Sequence, residues 1–302
     1  MTEYVIETNG LTVYYGRHRG IKDVDLQVEK GEVFGFLGPN GAGKTTMERV
    51  LLDIIRPSAG RATLFGKLDS KKDGVEARKR IGYLPGELSL YADMKASAYF
   101  KMYHALQGGN STYWQTLADR LGLDSSRKIR NLSRGNKQKV GIITAFMNKP
   151  ELLILDEPTG GLDPLVQQTV MELVREAKEE GATVFFSSHI LPEVQAVCDR
   201  VGIIREGMLV AVERVDDLMT QHFKRINLTF DTIPPADAFA LDGVTELGRD
   251  GNVVSLEIQE NLNAVMQTAV SYTITNVETE SVSLEEIFLA YYGKGNGGNN
   301  HV

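Results

Sequence analysis

The stretch Gly38-Pro39-Asn40-Gly41-Ala42-Gly43-Lys44-Thr45 constrains this chain more than any other. It fits G-x-x-x-x-G-K-[ST], a loop whose backbone N–H groups line a cradle for anionic oxygens. The glycines let the backbone turn those groups inward. A helix beginning near Lys44 adds its positive N-terminal end. EVFGFLG (32–38) is a short apolar run ending at glycine, and TTMERVLLDII (45–55) is helix-compatible. Strand, glycine loop and helix therefore follow one another directly, as the mechanism requires. In such a loop the Lys44 ammonium bridges β- and γ-phosphates and the Thr45 hydroxyl holds Mg²⁺. The plain alternative, a glycine turn that merely joins two elements, is disfavoured by those flanks.

Three further segments carry chemistry. ELLILDEP (151–158) reads as a buried strand stopped by Pro158, delivering Asp156 and Glu157 at its end. Beside a phosphate loop, Asp156 orients Mg²⁺ or its waters and Glu157 polarises an attacking water; alone, the pair is two solvated acids. TVFFSSH (183–189) reads as another buried strand, ending at His189. A neutral imidazole there can touch a γ-phosphate and its water, although a lone histidine is more often structural. Ser133 precedes the apolar helical run VGIITAFM and is suited to cap it, its hydroxyl and the next N–H groups forming a second anion site. The plain reading is a capped helix with a basic first turn.

Residues 3–13 and 21–37 read as strands, 94–122 as mainly helical and 166–181 as a helix closed by Gly181. Apolar strands alternating with helices imply an α/β fold, a parallel sheet covered on both faces. The style changes near residue 215. INLTF (226–230), a hairpin in 244–258 around Asp250-Gly251, a helix at 261–270, a strand at 273–278 and a helix at 283–292 make a small α+β module, 216–293. The alternative is a helical extension of the first domain. The glycine- and asparagine-rich tail, 294–302, reads as flexible.

Composition narrows the class. Of 302 residues 42% are hydrophobic and 24% charged, so the bulk is globular rather than disordered. No stretch matches the ~20 mostly apolar residues of a spanning helix, and the start is neither basic nor apolar, so no signal peptide is expected. Cys198 is alone, which excludes an internal disulfide and fits a reducing cytoplasm. A net charge of −7 argues against coating nucleic acid, and no nucleic-acid partner is expected.

In order, the phosphate loop, Ser133-Arg134-Gly135-Asn136, the Asp156-Glu157 strand, Gly161-Leu162-Asp163 and His189 resemble the nucleotide-binding subunit of an ABC transporter. The resemblance covers about residues 1–215 and implies a P-loop ATPase domain with a helical subdomain near 86–148. It implies two such domains packed head to tail, a homodimer being expected. Each ATP lies between one chain's residues 38–45 with Thr46 and the other's Ser133 and Gly135. Asp163 sits at the seam, where a plain turn acid is the competing reading. Glu157 and His189 serve hydrolysis, and Thr45 and Asp156 hold Mg²⁺. An aromatic residue stacks on adenine for about 1 kcal/mol; Tyr14 and Tyr15 are candidates, and Tyr15-Gly16 matches the setting better. The implied partner is an integral membrane subunit, with this chain peripheral at the cytoplasmic face of the membrane. GNKQKV, GYLP and SLEEIFLAYYG resemble the bacterial exporter branch.

Two positions depart from the family pattern. Gly86 stands where a glutamine is usual, and Asn136 ends a signature that usually reads Ser-Gly-Gly-Gln. With glycine at 86, either Glu87 or water fills the gap, or the isolated subunit hydrolyses slowly until its partner orders the loop. The second alternative is preferred, and on it a glutamine at 86 should raise the basal rate. Other functions remain in view: a soluble ATPase of this superfamily acting on DNA or ribosomes, and a weakly hydrolysing regulatory nucleotide-binding protein. Neither a long coiled coil, nor a second phosphate loop, nor a cysteine-rich module favours the former.

Overall fold

The computed structural model describes residues 3–106, 112–221, 224–258 and 261–280. It divides into two compact units, with the break between Glu213 and Arg214. The helix expected at 283–292 and the tail lie outside the described residues.

The first unit opens with β1 (Tyr4–Tyr15), β2 (His18–Glu29), β3 (Val33–Leu37), α1 (Lys44–Leu51), β4 (Ala59–Leu64) and β5 (Leu68–Asp69). Next come α2 (Gly74–Arg78), β6 (Ile81–Leu84), α3 (Ala96–Leu106), α4 (Tyr113–Arg120), a 3₁₀ turn (Ile129–Asn131) and α5 (Arg134–Phe146). β7 (Leu152–Asp156), α6 (Pro164–Glu179), β8 (Thr183–Ser188), α7 (Leu191–Val197), β9 (Arg200–Arg205) and β10 (Met208–Arg214) complete it.

A six-stranded sheet runs β10-β9-β3-β8-β7-β6. The neighbours from β9 through β6 pair in parallel. Every residue of β3, β7 and β8 is buried, as expected for strands covered on both faces. α6 and α7 pack on β8, and α5 packs on β6.

The sequence reading is incomplete here. The stretch 21–37 is not one strand: a turn at Lys30-Gly31 separates β2 from β3, and Gly31 has φ 78°. A second, antiparallel sheet, β2-β1-β4-β5, was not anticipated. Its first strands alternate buried and exposed residues only partly and carry register shifts, which blurs the period-2 signal. One core, including Ile6, Leu26, Phe36, Met47, Ile154 and Phe185, joins this sheet, α1 and the parallel sheet. Each such side chain contributes roughly 1.5–3 kcal/mol by leaving water, so α1 is clamped from two sides.

The second unit contains α8 (Val215–Gln221), β11 (Lys224–Phe230), β12 (Val244–Asp250), β13 (Val253–Ile258), α9 (Leu262–Val270) and β14 (Ile274–Glu280). Its antiparallel sheet is ordered β12-β13-β11-β14. Ile226, Leu228 and Phe230 alternate onto one face, meet Val254, Leu256 and Ile258, and are covered by Val265 and Ala269 of α9. The hairpin around Asp250-Gly251 forms, with Gly251 at φ 55°.

Candidate functional site

β3, β8 and β7 are adjacent and parallel, so their carboxyl ends lie side by side. The loop 38–43, His189 and the Asp156-Glu157 pair leave from those ends, the edge where open parallel sheets bind ligands. Gly43 caps α1 at φ 113°, a conformation that admits almost no other residue, and starts the helix at Lys44.

Lys44 is 95% buried by its surroundings, with only 5% exposure. Its Nζ donates to the Gly38 carbonyl at 2.7 Å and the Pro39 carbonyl at 3.3 Å, and lies 3.6 Å from Glu157 Oε1. His189 Nδ1 is 2.9 Å from that same Glu157 oxygen. One carboxylate oxygen is thus shared by the loop lysine and the strand-end histidine. Glu157 holds a left-handed φ of 48°, and its N–H donates to the Ser187 carbonyl at 3.1 Å. A non-glycine residue kept in that region costs on the order of 1–3 kcal/mol, and the flanking contacts must impose it.

Thr45 Oγ1 donates to Asp156 Oδ2 at 2.9 Å. Ser187 Oγ donates to Asp156 Oδ1 at 2.9 Å. A hydroxyl beside a carboxylate is a hard-oxygen pair of the kind Mg²⁺ takes together with phosphate oxygens. Among the described residues no cluster of three or more His, Cys, Asp or Glu could cage a metal alone. The donor set therefore fits Mg²⁺ shared with a phosphate rather than a protein-only centre.

A cavity of about 280 Å³ opens over the loop, lined by Tyr15, Arg19, Asn40, Lys44, Thr46 and Glu157 among others. The Tyr15 hydroxyl is 3.4 Å from Thr46 Oγ1, while Tyr14 is not among the lining residues. Of the expected site residues, Tyr15, Asn40, Gly41, Gly43, Lys44, Thr45, Thr46 and Glu157 line this space. Gly38 and Pro39 reach it through their carbonyls on Lys44, Ala42 through the loop backbone, Asp156 through Thr45, and His189 through Glu157.

Ser133, Gly135 and Asp163 do not line it. Ser133 caps α5, accepting from the Asn136 N–H at 3.2 Å, an interaction that typically contributes about 1 kcal/mol. Asp163 caps α6, accepting from the Val166 N–H at 3.1 Å with Pro164 next. Gln138 of α5 ties the two regions by donating to the Pro158 carbonyl at 3.1 Å.

Sequence reasoning missed four contributors. Arg19 lines the cavity from β2, Ser187 braces Asp156, and Gln138 braces the turn after Glu157. Ser187 stood in view two residues before His189. The fourth is Glu48 on α1, wholly buried, with no hydrogen-bond partner for either carboxylate oxygen among the described residues. Burial, and next the Asp156 charge, push its acid well above the usual carboxylate range. Burial likewise raises Tyr83, followed by the charges of Glu48 and Asp156. At position 86 a side chain would meet Asp156 Oδ2 only 3.0 Å from its Cβ.

A parallel sheet with a phosphate loop, a hydroxyl–carboxylate pair and an adjoining strand-end glutamate defines a P-loop nucleoside triphosphatase domain. The family described as "ABC transporter" matches residues 21–160. The linearmycin resistance ATP-binding protein LnrL of Bacillus subtilis is 30% identical over 96% of this chain and 99% of its own. The bacitracin transport ATP-binding protein BcrA of Bacillus licheniformis is 31% identical over 96% of this chain and 98% of its own. A solved ATP-binding subunit of an ABC transporter superposes with a TM-score of 0.67 at 29% identity, covering 72% of this chain and 92% of that one. This chain belongs to the ABC transporter ATP-binding proteins, which are ATPases coupled to transport.

Proposed function

We propose that this chain is the ATP-hydrolysing subunit of an exporter, working as a head-to-tail dimer on a separate membrane-spanning partner. The observation that carries the reading is Glu157 Oε1, 2.9 Å from His189 and 3.6 Å from Lys44 at the mouth of the loop. Lys44 and the loop N–H groups bind and orient the phosphates of ATP. Glu157 acts as general base, accepting a proton from water, and His189 holds the Glu157 carboxylate in place. Thr45 and Asp156 would hold Mg²⁺, which when bound neutralises phosphate charge. Tyr15, 45% exposed at the cavity edge, offers its ring to adenine.

Ser133 and Gly135 stand outside their own chain's cavity, which supports their acting on ATP held by a second copy, with Asp163 at the seam. The relatives named for linearmycin resistance and bacitracin transport support export. No described helix is long and apolar enough to cross a membrane, so the pathway belongs to the partner subunit. On this reading the chain is peripheral at the cytoplasmic face. The test is Glu157→Gln with ATP and Mg²⁺. Turnover should fall while ATP holds the protein as a dimer on gel filtration; a monomer with normal turnover overturns the proposal.

A further inference from the structure

The segments that carry Glu157 and His189 diverge where the parallel ladder stops. β7 and β8 pair as far as Asp156 and Ser187, and the Glu157 N–H still reaches the Ser187 carbonyl at 3.1 Å. Beyond that point one chain enters a turn, 158–161, and the other the irregular backbone of His189 and Ile190. Glu157 and His189 nevertheless meet at 2.9 Å. Both stand just past a strand end, and such connecting segments hold a fixed geometry only where side chains fasten them.

Glu193, in the first turn of α7, fastens both. Thr159 Oγ1 donates to its Oε1, and Ser188 Oγ donates to its Oε2 at 3.0 Å. Thr159 stands two residues after Glu157, and Ser188 one residue before His189. Both hydroxyls are buried, so each needs an acceptor from within the protein. One carboxylate serves the two, and hydrogen bonds to an ionised acceptor are stronger than neutral ones. On its other side the turn is braced by Gln138, through the Pro158 carbonyl at 3.1 Å, and by Gln167, through the Leu162 carbonyl at 3.3 Å. Ser188 is oriented in turn by the Ile190 N–H, which donates to its Oγ at 2.9 Å. An acid at the positive end of a short helix accounts for the charge of Glu193. It does not account for two oxygens divided between two loops.

We propose that Glu193 is a positioning residue for hydrolysis: by bridging Thr159 and Ser188 it fixes the separation of Glu157 and His189, a role that rests on the reading of Glu157 as the base. Glu193 does not line the cavity over the phosphate loop. It sets where the base stands, so it acts on turnover and leaves nucleotide affinity alone. A glutamine keeps one acceptor oxygen and adds an amide N–H₂ to which a hydroxyl can turn its lone pair, so it can bridge the same pair. Leucine fills the space and offers neither.

The test is single-turnover hydrolysis of radiolabelled ATP by the full-length protein with Mg²⁺, alongside ATP affinity by calorimetry. A misplacement of about 1 Å at a reacting group can cost on the order of 100-fold, so Glu193→Leu should slow hydrolysis at least ~10-fold at unchanged ATP affinity. Glu193→Gln should stay within about threefold of wild type. In a Glu157→Gln background, Glu193→Leu should cost less than about threefold more, because residues that act as a unit are not additive. Equal rates in wild type and folded Glu193→Leu overturn the proposal. So does a glutamine variant as slow as leucine, a loss of ATP affinity that matches the loss of rate, or a leucine effect of the same size with and without Glu157. If Glu193→Leu does not fold, Thr159→Val, which removes one of the two hydroxyls at nearly constant shape, is read by the same criteria. Normal turnover in Glu157→Gln alone removes the reading of Glu157 as base, and the role of Glu193 with it. Slow Glu157→Gln beside full-speed Glu193→Leu removes only the role of Glu193.

Discussion

Adding one methyl group at position 86 should slow the enzyme. A Cβ there would lie 3.0 Å from Asp156 Oδ2 and 3.2 Å from its Cγ, whereas ordinary contact begins near 3.4 Å. Asp156 Oδ2 must retreat by about 0.4 Å, from 3.0 Å to the 3.4 Å at which ordinary contact begins. It has little freedom to do so, because Oδ2 accepts from Thr45 and Oδ1 from Ser187, both at 2.9 Å. One of these bonds must stretch toward the limit of useful geometry. A bond to a charged group contributes roughly 1.5–3 kcal/mol, so losing part of it is worth about 1 kcal/mol. At 1.36 kcal/mol per tenfold, that is about a fivefold fall in turnover. Gly86→Gln places the same Cβ and should fall at least as far, which reverses the sign expected from the sequence. Steady-state ATPase of wild type, Gly86→Ala and Gly86→Gln across a Mg²⁺ titration checks this. The Mg²⁺ needed for half-maximal rate should rise in both variants. Unchanged or faster turnover in Gly86→Ala, at unchanged Mg²⁺ dependence, would show that Asp156 is not confined as described.

Lys44→Ala removes the ammonium inside the loop; a charge-assisted contact of ~1.5–3 kcal/mol predicts at least a tenfold loss of ATP affinity by calorimetry. Glu157→Gln keeps the side-chain shape without the base, and turnover should drop roughly 10²–10⁴-fold with ATP binding retained. Ser133→Arg should abolish activity while each chain still binds ATP, and full activity in that variant alone would contradict the head-to-tail arrangement. Glu32 is raised above its ordinary 4.5 chiefly by burial, so the folded state holds its proton more tightly than the unfolded one. Its stabilisation is complete below that value and is lost as pH rises through the raised one. Glu32→Gln should flatten that part of the stability profile in thermal melts from acid to neutral pH.

Local chemistry carried much of this protein in the sequence itself. The strand–loop–helix at 32–51, the Ser133 cap and the Asp250-Gly251 hairpin are built from contacts a few residues apart. For such contacts residue type and spacing are the cause. The Asp156-Glu157 pair and His189 were legible for the same reason, as polar residues at the ends of apolar strands. Their meeting was not. Thr45 and Asp156 are 111 positions apart, and Glu157 and His189 are 32 apart. They converge because parallel pairing orders the strands β3-β8-β7, a choice made by crossover packing that no local period encodes. The antiparallel sheet had the same origin, its register interrupted by irregularities that mask alternation. Nothing local marks Glu48 out from an ordinary helix acid; only tertiary packing around α1 removes it from water. Gly86 read as a missing side chain, and the fold shows why none fits comfortably: Asp156 stands where its Cβ would press. Composition and spacing specify which groups are available, whereas burial and cross-strand distance exist only once non-local surfaces have closed on one another.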